Sequence, residues 1–114
     1  MAMRRGDVFE AWVPFKESRT GEGKLRPVVV VGASPMGRYE DQVVLVAAIS
    51  AVGTPLTGDV LIDEWRKLGM KKECWIRARR LYGIDPANVN QKRLGRIPDD
   101  VMNEVLDEIA HFFK

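Results

Sequence analysis

The chain has 114 residues, of which 46% are hydrophobic and 30% charged, and a net charge of +2; this is typical of one folded domain over residues 1–114 and excludes a disordered segment. No apolar run approaches the roughly 20 residues that span a membrane, and no apolar stretch follows the N-terminal arginines, so we expect a cytoplasmic protein without a secretory signal. A single cysteine and a single histidine exclude an internal disulfide and predict no zinc or iron site, so we expect no cofactor.

The first predicted element is a strand over residues 7–15. Its alternation makes Val8, Trp12 and Phe15 candidate core residues. Because proline cannot donate to a sheet ladder, Pro14 predicts that this end of the strand lies at an edge.

A polar loop with two glycines is predicted over residues 16–25. The valine run 28–31 and the apolar segment 42–50 then predict two buried strands, because β-branched residues are enriched in strands. A turn-rich connection over 32–41 separates them.

The next elements are shorter. Residues 59–62 predict a short strand, and residues 63–68 predict one or two helical turns that end at Gly69. Residues 73–81 predict a strand in which arginines alternate with apolar residues.

Two helices are predicted near the C-terminus. A short helix is expected to start at Pro86, capped by Asp85, and to cover part of residues 87–94. A longer helix is expected to start at Pro98, because apolar residues from Val101 to Phe113 recur at helical spacing. Short strands followed by helices predict an α+β fold with a small, bent antiparallel sheet or barrel.

Basic charge is concentrated in one part of the sequence. Residues 66–96 contain ten basic and two acidic residues, a net +8, whereas residues 97–114 carry a net −4. A polyanionic partner is therefore plausible. The alternative is an ordinary solvated surface whose counter-charges lie elsewhere in the fold.

The residues by themselves point to arginine chemistry. Arg26, Arg77 and Arg79 lie in or beside apolar strands, where a buried charge requires an anion. Arg77 and Arg79 are two residues apart, which predicts a comb of guanidinium groups on one strand face, with Trp75 beside it to stack a base. The alternative is that Trp75 belongs to the core and that the arginines pair with acids of the C-terminal helix.

Several segments together resemble the MazF/PemK (Kid) family of toxin endoribonucleases. The resemblance rests on Arg-Gly-Asp-Val-Phe at 5–9, Arg-Pro and three valines at 26–30, a strand ending in Ser50 at 46–50, Trp-Ile-Arg at 75–77, Ile-Asp at 84–85 and Lys-Arg-Leu-Gly-Arg-Ile-Pro at 92–98. It implies a small SH3-like, CcdB/MazF-type antiparallel β-barrel with short helices and a C-terminal amphipathic helix. It also implies a homodimer, a cognate antitoxin and metal-independent cleavage of single-stranded RNA, with cyclic phosphate and 5′-hydroxyl ends.

The resemblance also implies the functional residues. Arg26 would grip the scissile phosphate, Ser50 would hydrogen-bond a phosphate oxygen, and Arg77 would stabilise charge. The residues expected to bind RNA are Thr20, Lys24, Trp75, Arg79 and Arg80.

The chain departs from the Kid pattern at two positions. Arg79 occupies the place of an aspartate that acts as base, and Thr20 occupies the place of a loop histidine. Glu22 is the substitute candidate for the base. Two alternative functions follow: a CcdB-like toxin on the same barrel that binds DNA gyrase without cutting, and a catalytically inactive homologue.

Overall fold

The structure is a computed structural model that describes residues 3–14, 23–35, 42–51, 55–85 and 92–113. The elements of these segments, in chain order, are β1 (Asp7–Pro14), β2 (Gly23–Pro35), β3 (Gln42–Ser50), β4 (Asp59–Ile62), a 3-10 helix (Trp65–Leu68), β5 (Cys74–Ile84), β6 (Gly95–Arg96) and α1 (Asp99–Phe112). None of the helices in this part of the chain has the length and apolar character needed to cross a bilayer.

The strands form one curled antiparallel sheet, a half-barrel, in the order β4-β5-β3-β2-β1-β6. Two register shifts interrupt its ladders: one lies between Val30 and Gly32 where β2 pairs with β3, and the other lies between Ala47 and Ala48 where β3 pairs with β5. Because a bulge bends its strand and increases the local twist, these shifts help the sheet to curl. The predicted α+β class, a small curled antiparallel sheet with a C-terminal helix, is confirmed.

Both faces of the sheet bury apolar side chains. Along β1 and β2, Val8 and Val29 belong to one buried cluster, whereas Phe9 and Val28 belong to the other, as strand alternation requires. The first cluster is completed by α1, whose buried residues are Met102 and Val105. Burying side chains of this size stabilises the fold by about 1.5–3 kcal/mol each.

A buried carboxylate links the two ends of the chain. Asp7 is 4% exposed, and its Oδ1 accepts hydrogen bonds from Arg93 at 3.3 Å and Arg96 at 3.1 Å. Its Oδ2 accepts a further bond from the backbone N–H of Arg4 at 3.0 Å. Because a buried charge must be compensated by hydrogen bonds, this group holds the segment before α1 against the start of β1.

Most predicted elements are present. The strands over 42–50 and 59–62 have the predicted bounds, and the helical turn ends at Gly69, whose φ of 79° is the left-handed conformation that favours glycine. The predicted C-terminal helix is α1. Pro14 pairs with Gly23 of β2, and β6 pairs only with Asp7 and Val8, so the Pro14 end of β1 lies at an edge as expected.

Four predictions about these elements were wrong. The turn-rich connection expected over 32–41 begins later, because β2 continues to Pro35 through its pairing with β3. Trp12 is 50% exposed rather than in the core. It lies on the same face of β1 as Val8, but four residues further along the strand, where the buried cluster that contains Val8 has ended. The loop predicted over 16–25 gives way to β2 at Gly23, because Gly23 to Leu25 continue the ladder with β1. The strand predicted over 73–81 extends to Ile84, paired with Val44. Phe15 lies outside the described residues, as do residues 86–91 of the short helix expected to start at Pro86 and to cover part of 87–94; residues 92–94 are described and are not helical.

Candidate functional site

Arg77 is the centre of a polar cluster on one face of the sheet. Its strand neighbours Ile76 and Ala78 are fully buried on the opposite face, so alternation directs Arg77 away from them. The Nη1 atom of Arg77 donates to Oδ2 of Asp59 at 2.8 Å, and its Nη2 atom donates to Oγ of Ser50 at 3.3 Å. The side chain of Arg77 is 12% exposed and that of Asp59 is 3% exposed, so this ion pair is largely protected from solvent.

Three strands bring these residues together although they are distant in the sequence. Asp59 of β4 is the cross-strand partner of Arg77, and Ala48 of β3 is its partner on the other side. Ser50 follows Ala48 by two residues and therefore shares its face. The cluster thus depends on the register of the β3–β5 and β4–β5 ladders.

Arg26 lies on the next strand, β2, opposite Ala11 of β1, and is half-buried. In the β2–β3 ladder Val28 pairs with Ala48. Arg26 and Ser50 are each two residues beyond that pair, so they lie on the same face as Arg77 at the same end of the sheet. The candidates Arg26, Ser50 and Arg77 therefore occupy three adjacent strands on one face.

Trp75 borders this cluster. It is half-buried and pairs with Ser50 on one side and Leu61 on the other. Residue alternation places its indole on the face of Arg77, so an aromatic surface adjoins the guanidinium group. An aromatic ring beside cationic groups can stack a nucleobase while the cations hold its phosphate.

Arg77 and Arg79 do not form the expected comb, because their guanidinium groups have different partners. Arg79 passes over Gly58 and places its Cζ 5.4 Å from the centroid of the Phe112 ring in α1. The register shift between Ala47 and Ala48 falls where β5 crosses this region, and a bulge changes the direction of the side chains that follow it. Arg80 is half-buried on the same strand.

Asp59 is the residue of this cluster that sequence reasoning missed. The short strand that starts at Asp59 was predicted, but its pairing with β5 is a long-range property that no local pattern specifies. The alternative that the arginines pair with acids of the C-terminal helix is wrong for these two residues, since Arg77 contacts Asp59 and Arg79 contacts Phe112.

Three further candidates come from the loop predicted over 16–25. Thr20 and Glu22 lie outside the described residues. Lys24 lies in β2 opposite Val13, and only its backbone is described.

The single cysteine is not a nucleophile candidate. Burial, and to a smaller extent the nearby charge of Glu73, raise the pKa of the Cys74 thiol. A raised pKa keeps the sulfur protonated at neutral pH, and the thiol form is a poor nucleophile. Among the described residues, the cluster offers charge stabilisation by two arginines and hydrogen bonding by a serine hydroxyl.

Three solved structures share this architecture at low sequence identity. An endoribonuclease in complex with its cognate antitoxin, from a mycobacterial species, aligns with a TM-score of 0.65 and 12% identity over 98% of this chain and 95% of that chain. The Mycobacterium tuberculosis toxin MazF-mt6 aligns with a TM-score of 0.62 and 15% identity over 92% of this chain and 95% of that chain. A MazE-MazF structure from Deinococcus radiodurans aligns with a TM-score of 0.65 and 15% identity over 98% of this chain and 95% of that chain.

These likenesses define a protein with the fold of the MazF toxins. Residues 4–113 match the family of PemK-like, MazF-like toxins of type II toxin-antitoxin systems. The chain belongs to this family. No curated protein matches the chain.

Proposed function

We propose that this toxin is an endoribonuclease that cuts single-stranded RNA at specific sequences without a metal ion. The observation that carries the proposal is the Arg77 guanidinium, held between the carboxylate of Asp59 and the hydroxyl of Ser50, with Arg26 on β2, the strand next to that of Ser50. A fixed cation with a second cation nearby suits a phosphodiester that gains negative charge in the transition state.

The proposed reaction is an internal transesterification. The 2′-oxygen of the substrate attacks the adjacent phosphorus, and the bond from phosphorus to the 5′-oxygen breaks. The products are a 2′,3′-cyclic phosphate and a 5′-hydroxyl end, once the 2′-hydroxyl has lost its proton and the leaving oxygen has gained one.

Each residue of the cluster has a role in this proposal. Arg26 binds a non-bridging phosphate oxygen, and Arg77 stabilises the pentavalent phosphorus. Because a guanidinium keeps its protons at physiological pH, both act through charge and hydrogen bonds rather than as acids. Ser50 accepts from Arg77 and can donate its own proton to a phosphate oxygen. The flanking RNA would contact Trp75, Arg79 and Arg80, together with Lys24 and Thr20.

Glu22 is the proposed general base. If this is so, Glu22→Gln should lower kcat by about a hundredfold, because general-base catalysis typically contributes 10²–10⁴-fold. The amide keeps the size and hydrogen-bonding capacity of the side chain, so RNA affinity should change little. Single-turnover cleavage rates of the variant and wild type measure the effect, and equal rates would assign the base to another group.

The proposal includes a homodimer and a cognate antitoxin as partners. It is supported by the family, by the mycobacterial structure described as a complex with its antitoxin, and by exposed apolar surface. Trp12 and Leu25 are cross-strand partners that are 50% and 53% exposed, and such exposed apolar surface is typical of protein interfaces. A solution mass equal to one 12.9 kDa chain would contradict the homodimer.

The direct test is incubation of antitoxin-free protein with a mixed-sequence single-stranded RNA in EDTA. We expect cuts at discrete positions, because arginine charge replaces a metal ion in this mechanism. Loss of cleavage on chelation would indicate a metal enzyme. Intact RNA together with a stable DNA gyrase complex would favour the gyrase-binding alternative, and intact RNA without that complex would favour an inactive homologue.

A further inference from the structure

Asp59 bonds to the backbone of its own turn as well as to Arg77. Its Oδ2 accepts the 2.8 Å bond from Arg77 and a second bond, at 2.7 Å, from the backbone N–H of Leu56. The backbone N–H of Asp59 in turn donates to the carbonyl of Leu56 at 3.0 Å. The carboxylate therefore closes a turn over residues 56–59 and binds the guanidinium through the same oxygen.

The turn that carries Asp59 is also held from its other side. Gly58 has a φ of 88°, and a Cβ at that position would lie 2.8 Å from Nε of Arg79. The side chain of Arg79 thus packs directly against the turn. Two arginines of β5 contact the turn, Arg77 through the Asp59 carboxylate and Arg79 across Gly58, so Asp59 has little freedom to leave its position.

We infer that Asp59 is a positioning residue, which fixes the Arg77 guanidinium beside Ser50 so that it meets the scissile phosphate. The inference rests on the proposed ribonuclease function. An arginine side chain has several rotatable bonds and adopts many rotamers in water. A carboxylate that is 3% exposed and anchored to the backbone selects one of them. The orientation is then established before RNA binds, which is the arrangement that electrostatic catalysis requires.

Asp59 is poorly placed to be the general base. A base must come within hydrogen-bond reach of the 2′-hydroxyl, whereas the Asp59 side chain is almost fully buried and its Oδ2 already accepts two bonds. Its effect on the reaction therefore passes through Arg77.

If Asp59 has this role, removing its carboxylate should affect RNA binding and the cleavage rate differently. The carboxylate opposes the attraction between the site and RNA, because it carries the same charge as phosphate. Removing it should strengthen RNA binding or leave it unchanged, while the disordered guanidinium slows the reaction. A residue that only supported the fold would reduce both.

The test compares Asp59→Ala and Asp59→Asn with the matched control Asp63→Ala, which removes the same charge from an exposed position after β4. For Asp59→Ala we expect kcat to fall about tenfold to a hundredfold, as for a small misplacement of a catalytic group, with no rise in the Kd for RNA. Asp59→Asn keeps an oxygen acceptor and should recover part of the rate. Asp63→Ala should keep the wild-type kcat.

A double-mutant cycle shows whether the effect passes through Arg77. In an Arg77→Ala background, Asp59→Ala should produce no further loss of kcat, because the group that Asp59 positions is gone. An equal loss in both backgrounds, an unchanged kcat in Asp59→Ala, or a raised Kd would overturn the inference. If Asp59→Ala does not fold by circular dichroism, Asp59→Asn is measured in its place. Wild-type protein that leaves RNA intact would refute the proposed function and this inference together, whereas active wild type with Asp59 variants that keep the wild-type kcat would refute only the inference.

Discussion

Arg77→Ala is expected to lower kcat for RNA cleavage by about a hundredfold to a thousandfold, the loss typical of removing one preorganised donor from a transition-state site. The Arg77 guanidinium contacts both Ser50 and Asp59. Its loss removes the charge that would face the phosphate and leaves the Ser50 hydroxyl without this donor. Single-turnover cleavage of a mapped RNA substrate, at saturating enzyme, measures the effect.

The same substitution should also affect stability. It leaves the Asp59 carboxylate, which is 3% exposed, without the cation that compensates it, and breaking a buried pair in this way typically costs about 3–5 kcal/mol. Activity must therefore be compared below the melting temperature, with urea unfolding to confirm that the variant is folded. Adding Asp59→Asn should recover part of the stability and none of the activity. If folded Arg77→Ala keeps the wild-type kcat, Arg77 is not a catalytic residue.

Arg26→Ala is the second substitution with a large expected effect, a loss in kcat/KM of about a hundredfold or more. Arg26 extends from β2 towards the face shared by Ser50 and Arg77, where its charge would hold the scissile phosphate. Because it contacts substrate in both the ground state and the transition state, we expect KM to rise as well as kcat to fall. Steady-state cleavage over a range of RNA concentrations separates the two.

Arg66→Ala is the matched control for Arg26→Ala. Arg66 is an exposed arginine whose Cζ lies 4.6 Å from the centroid of the Trp65 ring in the 3-10 helix. Trp65 packs against the apolar cluster that contains Ile76, on the opposite face of the sheet from Arg77. The control removes the same charge from the same domain, so it reports the general effect of net charge on RNA binding. Equal losses of kcat/KM in the two variants would mean that Arg26 contributes only through the general electrostatic attraction between the protein and RNA.

Much of the fold could be predicted from local patterns. Two strands, 42–50 and 59–62, and the C-terminal helix could be located because apolar, β-branched runs and period-3.6 stripes are local properties. Trp12 was misassigned because alternation gives the face of a residue but not where the covering helix ends. The register shift that separates the contacts of Arg77 and Arg79 was not predicted, because it depends on the neighbouring strand.

The site was predictable only in part, for the same reason. The residue pattern singled out Arg26 and Arg77 but left their partners open, whereas Ser50 and the roles of all three residues came from resemblance to a family. Asp59 lies 18 residues before Arg77, and only the β4–β5 register makes the two residues neighbours. A carboxylate beside an arginine in space leaves no signal at a fixed sequence spacing.

In the proposed mechanism the RNA's own 2′-hydroxyl attacks the phosphate. The most direct measurement uses an oligonucleotide with one mapped cut site and replaces the ribose on the 5′ side of that bond by deoxyribose, in EDTA. We predict cleavage of the all-ribose strand to cyclic phosphate and 5′-hydroxyl ends, and no cleavage of the substituted strand. Cleavage of the deoxy-substituted strand at the same bond would show that water or a protein group is the nucleophile, and would contradict the mechanism.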